Sequence, residues 1–166
     1  MVLTKDMLEF IALLKRHKVA YVLVGGLAVG YYGYVRATQD IDILVKPTKR
    51  NAARLMRVLD EFGFGKAGVS RELFEREGTA VHLGAEPNSI DILTHLKGVS
   101  NKAVFANARR VRYCGLRVKM IAFRDLVKSK KSSDRLKDLA DASELEKASA
   151  QRRRTTSRRR MRGSSS

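Results

Sequence analysis

The chain reads as an α/β (α+β) fold: a mixed β-sheet flanked by helices, with a further helical segment at the C-terminal end. Three observations predict it. Apolar residues recur at helical spacing near the start, short β-rich apolar runs stop at glycines, and helical periodicity returns after a strand hairpin near residue 120.

In chain order, Met7, Leu8, Ile11 and Leu14 share one face behind a capping Thr4, so residues 4–17 form an amphipathic helix. Its cationic end, Lys15-Arg16-His17-Lys18, suits a helix C-terminus. Tyr21-Val22-Leu23-Val24 is a buried strand that stops at a tight turn on Gly25-Gly26, after which Leu27 to Tyr34 form a short helix. Ile41, Ile43 and Val45 alternate with Asp40, Asp42 and Leu44 in a second strand. Thr48 caps a helix with Ala52, Leu55, Leu59 and Phe62 on its face, closing near Gly63 and Gly65. Thr79–Leu83 and Ser89–Leu93 read as strands joined by a turn over Gly84–Asn88, and Arg109–Tyr113 with Leu116–Met120 as a hairpin turning on Cys114-Gly115. Helices resume from Phe123 to about Ser132, and from Ser133 or Asp134 to about Lys147. There is no internal repeat.

With 166 residues and 44% hydrophobic content, the chain fits one domain around one core. That domain is expected to span residues 1–147. From 148 to 166 the sequence is almost wholly Arg, Ser, Thr, Ala and Gly, with Met161 its one large apolar residue, and reads as a disordered basic tail. Of the formal charge of +17, Lys147 and the seven arginines beyond it carry +8, which leaves +9 on the body. A field of that sign attracts polyanions, nucleic acid first among them. The single cysteine, Cys114, excludes an internal disulfide and fits a reducing compartment. With neither a signal peptide nor a long apolar run, the expected location is cytoplasmic and away from membranes.

The segment richest in chemistry is Gly25-Gly26, followed after thirteen residues by Asp40-Ile41-Asp42. Alternation along a strand puts Asp40 and Asp42 on one face, where two like charges repel unless a cation lies between them. Mg²⁺ suits such oxygen donors, because it takes one or two carboxylates and fills its other positions with water and phosphate. Gly25 and Gly26 let the backbone approach a bulky anion, and the start of the following helix adds donors. Asp91 interrupts the apolar strand Ser89–Leu93. If that strand lies beside the first acidic one, three carboxylates can serve two metal ions. His17, His82 and His95 lack the partner spacing of a zinc site and read as structural or solvated. Tyr31, Tyr32 and Tyr34 read as packing residues rather than base-stacking ones.

Gly25-Gly26, the thirteen-residue interval and Asp40-Ile41-Asp42 with a later Asp91 resemble the signature of the DNA polymerase β-like nucleotidyltransferase superfamily. Arg36-Ala37-Thr38-Gln39-Asp40-Ile41-Asp42 looks most like its minimal bacterial and archaeal members, AbiEii-type toxins among them. The resemblance runs from about Tyr21 to Leu145. It implies a nucleotidyltransferase-like fold and transfer of a nucleoside monophosphate from an NTP, ATP included, to an acceptor hydroxyl. On this reading Asp40, Asp42 and Asp91 are catalytic and hold two Mg²⁺ ions, while Gly25 and Gly26 support the triphosphate. The downstream match at Lys130, Arg135 and Asp138 implies a lysine on the triphosphate, an assisting arginine and an acid completing the site. Arg36 either touches phosphate or pairs with one of the acids. The basic body favours RNA or tRNA as acceptor over a polycationic small molecule such as an aminoglycoside antibiotic. A toxin-like member would have a cognate antitoxin protein. Two alternatives stand beside it: a non-catalytic nucleic-acid binder, and an antitoxin-like partner-binding protein on the same scaffold.

Overall fold

The computed structural model of the chain describes residues 3–35, 38, 40–85 and 89–162, with backbone alone for 156–162. Helix α1 (Lys5–Arg16) starts where predicted, with the Met7 amide donating to the Thr4 hydroxyl at 3.3 Å, and it buries Met7, Phe10, Ile11, Leu13 and Leu14. Strand β1 (Tyr21–Leu23) is buried throughout. Helix α2 (Gly25–Tyr31) begins on the glycine pair itself, with no separate turn before it. Gly25, at φ +58°, reverses the chain within one residue, a conformation open to glycine at little cost. Strand β2 (Ile41–Val45) follows, then α3 (Lys49–Leu59), capped by Thr48, which accepts from the Asn51 amide at 3.2 Å. A π turn (Asp60–Phe64) extends α3 and breaks at Gly63, φ +101°.

After a 3₁₀ turn that buries Phe74 come β3 (Ala80–Leu83) and β4 (Ile90–Leu93). The short helix α4 (Asn101–Asn107), capped by Ser100, was not expected from the sequence, where only Val104 among its hydrophobics becomes fully buried. Strands β5 (Arg109–Tyr113) and β6 (Leu116–Met120) form the predicted hairpin, with Cys114 at φ +48° and Gly115 at φ +82°, both in the left-handed region as a type I′ turn requires. Helix α5 (Phe123–Lys131) precedes α6 (Leu136–Arg162). The segment expected as a tail from residue 148 is helical as the second half of α6, and the buried residues described in that helix, Asp141, Ala142 and Leu145, all precede it.

The six strands form one sheet in the order β3-β4-β2-β1-β6-β5. The β2–β4 and β1–β6 pairs are parallel and the other three antiparallel, so the sheet is mixed. β1 and β2 lie in the middle, and Val22, Leu23, Ile41, Ile43, Leu44 and Val45 have no solvent exposure at all (0%). Buried Asn51 ties α3 to the sheet: it accepts from the Ala20 amide at 2.7 Å and donates to the carbonyls of Ala20 and Lys46 at 3.0 and 2.9 Å. Tyr31 and Tyr32 pack edge-on, as predicted, against each other and against Tyr113 and Phe123, and the Tyr32 hydroxyl donates to the Ile121 carbonyl at 2.7 Å. No helix among the described residues is long and apolar enough to cross a membrane.

Candidate active site

The strand order decides where the acids meet. Because β2 and β4 are parallel neighbours in register, Asp42 lies directly opposite Asp91, and side chains opposite one another on adjacent strands share a face. The condition set on Asp91 by the sequence is met. On the other side of β2, the chain leaves β1 at Val24, whose amide donates to the Asp42 carbonyl at 3.0 Å, and turns into α2. The Gly26 amide then donates to the Asp42 carboxylate at 3.1 Å.

Neither glycine of the pair has room for a side chain. A Cβ on Gly25 would sit 2.0 Å from the Asp42 carboxylate, and one on Gly26 would sit 2.6 Å from the Thr38 hydroxyl. Close approach of backbone to carboxylate is therefore built into this turn, with the positive end of α2 beside the acid. Asp40, just before β2, accepts from the Ser89 hydroxyl at 2.6 Å and more weakly from its amide at 3.4 Å. Asp91 Oδ1 lies 2.7 Å from His82 Nδ1.

Burial pushes the Asp42 carboxyl above its usual range; the Gly26 hydrogen bond and the Lys130 charge oppose this, and Asp91 and Asp40 add to it. A carboxyl whose ionised form is disfavoured by burial and by two like charges is a position a divalent cation would relieve. Among the described residues, no three His, Cys, Asp or Glu side chains stand close enough together to enclose a metal ion. Asp40 is turned to Ser89, whereas Asp91, with one carboxylate oxygen on His82, shares the Asp42 face of the sheet, so Asp42 and Asp91 are the two adjacent donors. Such a donor set fits Mg²⁺, which takes one or two carboxylates and completes its shell with water and phosphate oxygens.

Gly25 and Asp42 open onto a cleft of about 620 Å³, whose far wall carries Lys130, Arg135 and Asp138. The Lys130 ammonium is paired with Asp138 and, at 3.1 Å, with buried Asp141, and the Ser133 hydroxyl donates to Asp138 at 2.6 Å. Burial alone would raise the Asp138 carboxyl, but hydrogen bonds from Lys130 and Ser133, with the charges of Lys130 and Arg135, outweigh it and hold the group below its usual range. The fold thus brings Gly25, Asp42, Lys130, Arg135 and Asp138 to one cleft, with Asp91 beside Asp42, Gly26 bonded to it and Asp40 at the start of the same strand. Arg36 lies outside the described residues.

Four participants were not found from the sequence as members of the site. His82 reaches Asp91 through cross-strand register, and Ser89 reaches Asp40 through a contact 49 residues away in sequence. Lys97 and His95 line the cleft from the loop after β4. Only Ser89, two residues before Asp91, carried a local signal.

A mixed sheet with a glycine turn beside paired aspartates is a nucleotidyltransferase-like fold. Solved structures of that description superpose on most of the chain. A candidate nucleotidyltransferase from Thermotoga maritima matches with a TM-score of 0.51 at 16% identity, over 90% of this chain and 89% of its own. The lincosamide antibiotic adenylyltransferase LnuA, with lincomycin bound, gives 0.53 at 15% identity, over 87% of this chain and 97% of its own. An antigenic nucleotidyltransferase-like protein from Paracoccidioides brasiliensis gives 0.50 at 17% identity, over 89% and 78%. Identities this low establish the fold. No protein-family model and no curated protein sequence matches the chain.

Proposed function

We propose that the protein is a nucleotidyltransferase that moves a nucleoside monophosphate from an NTP to an acceptor hydroxyl, with RNA or tRNA as the favoured acceptor. The observation that carries the proposal is the in-register pair Asp42 and Asp91 beside Gly25-Gly26, at a cleft that also presents Lys130. Gly25, on the cleft wall with Gly26 behind it, supports the triphosphate through its backbone, and Lys130 and Arg135 supply positive charge for the β- and γ-phosphates. Asp138 and Asp141 hold the Lys130 ammonium in place for that contact. The acceptor oxygen attacks the α-phosphorus, a new P–O bond forms there, the bond to the bridging oxygen breaks, and pyrophosphate leaves. Asp91 takes the proton from the acceptor hydroxyl. Mg²⁺ held by Asp42 and Asp91, with Asp40 beside them, would neutralise the phosphate charge that builds up during transfer.

The test is to incubate the full chain, and its Asp40→Ala/Asp42→Ala variant, with Mg²⁺, total RNA and each α-labelled NTP in turn. Label on RNA with the wild type alone supports both the reaction and the acceptor class. No transfer to any acceptor, with nucleotide still bound, would sink the enzymatic reading in favour of a non-catalytic binder. The likeness to LnuA favours a second reading of the acceptor, a small molecule, and label on a lincosamide instead of RNA would select it. A toxin-like role adds one expectation: growth arrest on expression, relieved by the same double substitution.

A further inference from the structure

A second concave surface, larger than the cleft at Asp42, lies elsewhere on the protein. A groove of about 800 Å³ lies at the start of β1, between the end of α1 and the β5–β6 hairpin. Its charged lining consists of Lys15, Lys18, Arg110, Arg112, Arg117 and Lys119, with no acid among the lining residues. The hairpin register sets Arg110 opposite Lys119 and Arg112 opposite Arg117, so four cations share one face as two like-charged rungs. Directly opposed like charges destabilise a strand pair.

Several exposed cations elsewhere are paired. Arg16 pairs with Glu61, Lys97 with Asp134, Lys131 with Glu146 and Lys147 with Glu144. None of the six groove cations has an acidic partner among the described residues. An arrangement that weakens the hairpin and leaves its charge uncompensated is accounted for by an external polyanion.

We propose that this groove is the docking site for the phosphate backbone of a polynucleotide. Three features select that class. The surface is concave, which a membrane face cannot enter. Three of the six cations are arginines, whose planar forks take phosphate oxygens in pairs. The two rungs are about 7 Å apart along the strands, the advance of two stacked nucleotides at about 3.4 Å each. The proposal rests on the reading of the acceptor as RNA and says where that acceptor is held. Along β1 the groove, at Tyr21, and the cleft, at Gly25, are separated by about 13 Å, or roughly four stacked nucleotides.

The experiment is fluorescence anisotropy of a labelled RNA 20-mer with the full-length protein, titrated at several salt concentrations without NTP or Mg²⁺. The variant Arg110→Thr/Arg112→Thr/Arg117→Thr/Lys119→Thr keeps β-forming residues at exposed positions, and circular dichroism checks its fold. It is expected to bind at least about tenfold more weakly, with the slope of log K against log salt flatter by roughly 3. A second variant, with the seven arginines of residues 152–162 changed to Gln, is expected to lose less affinity than the first. The proposal is overturned if the hairpin variant binds RNA like the wild type while the second variant loses binding. It is equally overturned if poly-glutamate displaces the RNA at matched charge, which would make the ligand an acidic polypeptide. NTP binding at the cleft, followed by calorimetry, should be unchanged in the hairpin variant. Docking can therefore fail while nucleotidyl transfer stands, and the reverse.

Discussion

Gly25 and Asp42 constrain each other. With φ at +58° and a Cβ position 2.0 Å from the Asp42 carboxylate, Gly25 tolerates no side chain without moving the acid. Gly25→Ala should cost about 1–2 kcal/mol for the left-handed backbone alone and should weaken NTP binding as Asp42 shifts; thermal melts and calorimetry check the two effects separately. Asp42 itself sits against burial and two like charges. Asp42→Asn should therefore melt at or above the wild-type temperature in metal-free buffer, yet lose transfer by about a thousandfold, some 4 kcal/mol of transition-state stabilisation. A variant that melts lower and still transfers would show that the carboxylate is structural. Both residues were legible in the sequence because a glycine pair before an acid-apolar-acid strand is a local pattern. His82 was not, since its role depends on which residue faces it across β3 and β4.

The elements meet most consequentially where α5 and α6 pack through charge. Lys130 on α5 is 12% exposed and Asp141 on α6 is 2% exposed, so removing the lysine takes an ion pair from a buried acid. Lys130→Met should cost about 3 kcal/mol, a fall in Tm of about 10 °C. Adding Asp141→Asn should recover much of it without restoring NTP binding, and a double that binds NTP would show that Lys130 serves packing alone. Asp138 links the same joint to pH. Its folded-state carboxyl titrates below the unfolded value, so its contribution to stability is fully present above about pH 4, the unfolded aspartate range, and is lost as pH falls through the folded value. Asp138→Asn should flatten the acid limb of the stability curve, as chemical denaturation between pH 2 and 6 would reveal. Periodicity located both helices, but it could not assign Lys130 among the crowded Lys128, Lys130 and Lys131, because selection depends on which one α6 buries.

At the scale of the whole molecule, strand and helix identity followed from local patterns, whereas the sheet order β3-β4-β2-β1-β6-β5 depended on pairings between distant segments. The hairpin was readable to the residue because its two-residue turn fixes register. Helix α4 escaped notice because its burial comes from contacts made only after folding. Where the domain ends is a question of the same scale. Composition puts the boundary at 147, yet α6 continues as helix to Arg162. A helix is held in a domain by what it buries, and α6 buries Asp141, Ala142 and Leu145 before that boundary, while residues 150–155 are exposed. The Arg152 guanidinium, however, lies back against Gly33, where a Cβ would come within 2.4 Å of it. An exposed arginine contact of that kind contributes about 1 kcal/mol or less. A chain ending at residue 147 should therefore fold cooperatively, melt within about 3 °C of the full-length protein and bind NTP with unchanged affinity. Differential scanning calorimetry of the two lengths is decisive. A truncated chain that melts much lower, or fails to fold, would make the second half of α6 part of the domain and Arg152 on Gly33 a contact that holds it there.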